Sequence, residues 1–123
     1  MVDPLPDDAP QFVRDYHDYY KTVRGYHERS GNSTDGWNVT SNLPWLNTNL
    51  LQFAGEIESA VMVLHGSEAH SRYMGEGIYE QLRGDNKELV IVEGASHCDL
   101  YDGGGWGAIP FDRIQAFLEE HLA

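Results

Sequence analysis

The second half of the chain alternates short apolar runs with helical periodicity. Ala60-Val61-Met62-Val63-Leu64-His65 is a continuous apolar run that stops at Gly66. Such a run predicts a strand near 60–65 covered on both faces, as in parallel sheets. Met74, Ile78 and Leu82 then recur every four residues, with Gly84 beyond them, and predict a helix of about three turns. Residues Glu88 to Glu93 form a second apolar run that ends at Gly94 and predict a strand near 88–93. After a Gly-rich loop through Gly103-Gly104-Gly105, Pro110 opens a last helix with Phe111, Ile114, Phe117, Leu118 and Leu122 on one side. Strand–helix–strand–helix implies a crossover connection and parallel strands, hence an α/β class.

The first half is less regular. Phe12, Tyr16, Tyr19, Tyr20 and Val23 recur at helical spacing and predict an amphipathic helix over Gln11–Arg24, ended by Gly25. Residues 26–48 show no clear period, although Trp37 and Trp45 stand among their Gly, Ser, Asn and Thr. Asn47–Gly55 reads as a short helix carrying Leu50, Leu51 and Phe53. The expected organisation is one domain over 1–123, with a helical and loop lead over 1–58 and the strand–helix–strand–helix unit over 59–123. Two parallel strands leave two open edges and little sheet to cover, so completion by a homodimer or higher homo-oligomer is expected.

Charge narrows the partners. Lys and Arg total 8 against 20 Asp and Glu in 123 residues, a formal net charge of −12. Nucleic acid and anionic membrane surfaces both need clustered positive charge, so neither is an expected partner. No apolar run approaches the ~20 residues of a membrane span. The acidic, Pro-containing start does not read as a secretory leader, and Cys98 is the single cysteine. A cytoplasmic setting is the expectation. In that setting, Asn32-Ser33-Thr34 and Asn38-Val39-Thr40 are chance matches to the glycosylation pattern.

Ligands of parallel α/β sheets bind beyond the carboxyl ends of the strands. Two segments emerge there, one running from His65 to Tyr73 and one from Gly94 to Asp102, both dense in titratable groups. An acid after one strand and a histidine after the next suit a charge-orienting pair, in which the imidazole takes a proton from a nucleophile. His97 is the candidate base and Glu68 its candidate orienting acid, with Asp99 and Asp102 as rivals that also suit caps of the Gly-rich loop. Ser67 and Ser71 are candidate nucleophiles. Cys98 adjoins His97 in sequence, which favours a buried, inert thiol. Arg72 suits a carboxylate partner in so acidic a chain. His65, His70, His97, Cys98 and Asp102 could gather a metal, but no tight zinc spacing occurs, so neither a metal nor a cofactor is expected.

Several strings carry a family resemblance when taken together. They are Tyr19-Tyr20-Lys21-Thr22-Val23-Arg24-Gly25-Tyr26-His27-Glu28-Arg29-Ser30, Val63-Leu64-His65-Gly66 leading to Ala69-His70-Ser71-Arg72-Tyr73, Gly94-Ala95-Ser96-His97 with Asp99-Leu100-Tyr101-Asp102, and Ile109-Pro110-Phe111-Asp112. They resemble the last third of a dienelactone-hydrolase-like branch of the α/β-hydrolases, related to the fungal polyketide transferases. The resemblance implies a truncated α/β-hydrolase fold, hydrolysis of ester bonds in small or short-chain esters, and His97 as triad base. It implies an acid after the preceding strand, where Glu68 is available. Ala69 occupies the superfamily's commonest acid position, and Ser67 stands where the branch usually has Glu. The nucleophile elbow G-x-S-x-G is absent; Gly31-Asn32-Ser33-Thr34-Asp35 is the nearest string and lacks the final glycine. Three functional classes follow: an ester hydrolase using Ser67 or Ser71, a portion that supplies His97 to a separate N-terminal half, or a non-catalytic interaction or ligand-binding remnant.

Overall fold

The computed structural model describes residues 3–31, 38–49 and 51–122. Trp37, Leu50 and the Asn32-Ser33-Thr34 segment with its serine lie outside the described residues. The chain divides into two compact units, Met1–Asn49 and Leu50–Ala123.

In the first unit, helix α1 spans Gln11–Lys21, with Pro10 at its N-cap. It ends three residues before the predicted Arg24, because Thr22 is already extended. Its aromatic face packs on itself: Tyr16 and Tyr20 stack at 6.1 Å, and Tyr19 meets Tyr20 edge-on at 5.0 Å. The stretch read as aperiodic contains a 3-10 turn at Val39–Ser41 and a short helix α2 at Asn42–Leu46. Asn38 Oδ1 accepts from the Thr40 amide at 3.1 Å and from Thr40 Oγ1 at 2.9 Å, a local capping arrangement. Among the described residues of Asn47–Gly55 the expected α-helix is not formed; Asn47 instead caps α2, and a 3-10 turn occupies Ala54–Glu56.

The second unit holds β1 (Val61–Gly66), α3 (Arg72–Gln81), β2 (Lys87–Val92), α4 (Asp99–Asp102) and α5 (Phe111–His121). The strands pair in parallel, in register from Val61 with Lys87 to Gly66 with Val92. Helix α3 packs on both strands. Lys87 secures its C-terminal end: Nζ donates to the carbonyls of Tyr79 at 3.0 Å and Leu82 at 2.7 Å and lies 4.5 Å from the Tyr79 ring centroid. A cation there satisfies carbonyls that have no helical donor and opposes the helix dipole.

The structure does not bear out the expected truncated α/β-hydrolase fold. Among the described residues the sheet is two-stranded and parallel, with several helices, and nothing in it is specific to a hydrolase. The physical reason is that one β–α–β crossover is a building block of many α/β folds. The strands are also half-buried rather than covered on both faces. The buried apolar side chains are mostly small: Ala54, Ala69, Ala95, Cys98 and Ala108, with Leu82. Large apolar side chains stay open, among them Tyr73, Met74 and Trp106. The apolar side predicted for the last helix exists, but it faces an open groove lined by Phe111, Ile114, Leu118 and Leu122.

Candidate active site

The two segments beyond the strands are stitched together by backbone. Ser67 N–H donates to the Val92 carbonyl at 2.9 Å, and Glu68 N–H donates to the Ala95 carbonyl at 3.0 Å. This close approach requires glycine at 66: a Cβ there would stand 2.0 Å from the Ala95 carbonyl oxygen. Gly75 has a matching role one turn into α3, where a Cβ would fall 2.3 Å from the His65 ring, so the helix lies directly against that imidazole.

On this frame, Ser71 Oγ lies 2.9 Å from His97 Nδ1. Ser71 occupies the N-cap position of α3, yet its side chain makes no capping hydrogen bond. Its hydroxyl is directed at the imidazole. On the other side of the ring, His97 Nε2 lies 2.8 Å from the Tyr101 hydroxyl, and the two rings meet edge to face at 5.2 Å. Both imidazole nitrogens therefore meet hydroxyl groups. The His97 pKa is lowered, first by burial of the ring, then by the positive charge that His70 and His65 carry when protonated. A lowered pKa favours the neutral imidazole, the form that can accept a proton.

The other sequence candidates have different neighbours. Ser67 Oγ donates to Glu68 Oε1 at 3.2 Å and accepts from Gly94 N–H at 2.8 Å, so this serine ties the two loops together. Asp99 Oδ2 accepts from Ser96 N–H at 2.9 Å and from Ser96 Oγ at 2.8 Å, which fixes the turn that carries His97. Asp102 Oδ1 accepts from Gly104 N–H at 2.9 Å at the start of the glycine run. Arg72 pairs with Glu76 at 2.8 Å along α3. Cys98 is fully buried. Among the described residues, no group of three or more His, Cys, Asp and Glu side chains is gathered to hold a metal. Tyr101 is the site member that sequence reasoning passed over. The signal available was its closeness in sequence, four residues after His97, in the turn and short helix that follow the last strand.

No family model matches this chain. It is 49% identical over 113 residues to an uncharacterized protein, PA2218, of Pseudomonas aeruginosa, covering 91% of this chain and 30% of that protein. It is 30% identical over 118 residues to the uncharacterized protein YcjY of Escherichia coli K12, covering 94% of this chain and 37% of that one. A crystal structure of the hypothetical protein PA2218 superposes with a TM-score of 0.84 at 47% identity, over 95% of this chain and 36% of that chain. The chain thus spans about a third of the length of these relatives. The likeness supports the arrangement of this portion and supplies no evidence for a hydrolase fold. Among the described residues, no helix is long and apolar enough to cross a membrane.

Proposed function

We propose that this chain hydrolyses ester bonds of small, uncharged esters, with His97 as general base and Ser71 as nucleophile. The observation that carries the reading is the 2.9 Å contact between Ser71 Oγ and His97 Nδ1. A base within hydrogen-bond reach of a hydroxyl is the arrangement that turns a weak nucleophile into an effective one. The resemblance to dienelactone-hydrolase-like enzymes, in which the equivalent of His97 is the base, supports the role of His97 from the sequence side. A net charge of −12 disfavours anionic substrates.

The chemistry runs in two halves. Ser71 Oγ attacks the ester carbonyl as its proton passes to His97 Nδ1. The resulting imidazolium returns that proton to the leaving alkoxide, so alcohol departs and an acyl-serine remains. His97 then takes a proton from water as the hydroxide attacks the acyl carbon. The serine oxygen leaves with that proton and the acid is released. Hydrolysis of 4-nitrophenyl acetate tests the reading: Ser71→Ala and His97→Ala should each lower kcat by about 100-fold or more, while Ser67→Ala retains activity. Full activity in Ser71→Ala overturns it.

The exposed apolar side of α5 favours a second reading, in which His97 serves a nucleophile on a longer polypeptide of which this chain is one part. Under it, the chain alone is inactive. Activity would appear on co-expression with the remaining two thirds or so of a PA2218-like sequence and depend on His97 but not on Ser71.

A further inference from the structure

We propose that Tyr101 is a positioning residue for His97: its hydroxyl oxygen accepts Nε2–H and so fixes the imidazole tautomer whose Nδ1 lone pair faces Ser71. The inference rests on the reading of His97 as the base. It starts from the two hydroxyls that bracket the ring, Ser71 at 2.9 Å from Nδ1 and Tyr101 at 2.8 Å from Nε2.

A neutral imidazole has one donor and one acceptor nitrogen, so the direction of one bond sets the other. Ser71 is half-buried, and its side chain makes no capping bond to α3. Its proton is satisfied by donation to Nδ1. A phenol hydroxyl can accept as well as donate, so the Tyr101 oxygen can take Nε2–H. The opposite tautomer would make Ser71 an acceptor from Nδ1–H and leave the serine proton without that partner. It would also leave no lone pair on His97 to receive a proton from Ser71.

The backbone holds Tyr101 in place. Its N–H donates to the Cys98 carbonyl at 3.0 Å, and the Gly103 N–H closes the turn onto Asp99 at 2.8 Å. Gly103 adopts φ +86°, which ends α4 at Asp102, directly after Tyr101. When His97 accepts the serine proton, its Nε2–H becomes a charge-assisted donor to the same phenol oxygen. Tyr101 thereby does for this ring what an orienting carboxylate does in a triad, with a weaker interaction.

The test is the long-range 1H–15N imidazole spectrum of labelled protein above the histidine titration range, with the His97 signals assigned by their loss in His97→Gln. The expected wild-type pattern is protonated Nε2 and unprotonated Nδ1. Tyr101→Phe keeps the ring and removes the hydroxyl, and should mix the two tautomers. It should also move the acid limb of His97 to lower pH and lower kcat for 4-nitrophenyl acetate by about tenfold at unchanged KM. A wild-type ring protonated at Nδ1, or a tautomer unchanged in Tyr101→Phe, overturns the proposal. A tautomer shift with no Ser71-dependent hydrolysis in any variant would leave Tyr101 positioning His97 and remove the ester-hydrolase reading instead.

Discussion

Gly66 lies so close to Ala95 that a Cβ on it would stand 2.0 Å from the Ala95 carbonyl oxygen and 2.6 Å from its carbonyl carbon. The obstacle is backbone, not the far end of a flexible side chain, so it cannot swing aside. Gly66→Ala must therefore part the segment carrying Ser71 from the one carrying His97. We expect a loss of about 2 kcal/mol or more in urea unfolding, with the Ser71–His97 hydrogen bond lost as well. A variant with the wild-type midpoint would show that the close approach does not hold the segments together.

Asp99 is expected to act on His97 through the turn and not as its acid. Asp99→Ala leaves the Ser96 amide and hydroxyl without their carboxylate acceptor and should cost about 1–2 kcal/mol. Asp99→Asn keeps one acceptor oxygen and should recover part of that stability and leave the His97 titration in place. If Asp99→Asn instead displaced the His97 titration while stability stayed at the wild-type level, Asp99 would be acting on the imidazole electrostatically.

Lys87 is the first residue of β2, and its ammonium secures the last carbonyls of α3. Lys87→Met preserves most of the aliphatic stem and removes the charge. The expected cost is about 1 kcal/mol, with α3 fraying from its C-terminal end toward Tyr79. Amide exchange along α3 would report it: faster exchange confined to the last turn supports the cap, and unchanged exchange refutes it.

The two strands and the helix between them were legible because their signals are local: continuous apolar runs closed by glycine, and a four-residue repeat closed by Gly84. Burial was less legible. The same apolar runs are half-buried here, because a run of Val, Leu and Ile records what a strand can bury and not how much chain is present to bury it. Helix α2 escaped detection since Asn42–Leu46 is too short to display a period and contains Pro44. In the site, strand-end position pointed to the segments bearing Ser71 and His97. The choice between Ser67 and Ser71 depended on three-dimensional pairing: Ser67 turns toward Gly94 and Glu68, and Ser71 toward His97.

The pH behaviour of His97 follows from its surroundings. Burial of the ring is the largest cause of its lowered pKa; His70, with a ring centroid 6.1 Å from that of His97, adds to it through charge, and His65 acts in the same direction. The groups hydrogen-bonded to its two nitrogens are the hydroxyls of Ser71 and Tyr101. A folded-state pKa below the unfolded value of 6.5 means that the unfolded chain binds the proton more readily. This residue's contribution to stability is therefore complete above pH 6.5 and is lost as the pH falls from there through the lower folded-state pKa. Activity that needs the neutral base should persist below pH 6.5 for the same reason. His70→Ala removes one like charge and should raise the His97 pKa, moving the acid limb of kcat/KM to higher pH while the burial contribution remains. Histidine titration by NMR in wild type and His70→Ala measures this directly. A His97 pKa that falls in His70→Ala would refute repulsion between the two imidazoles as a cause.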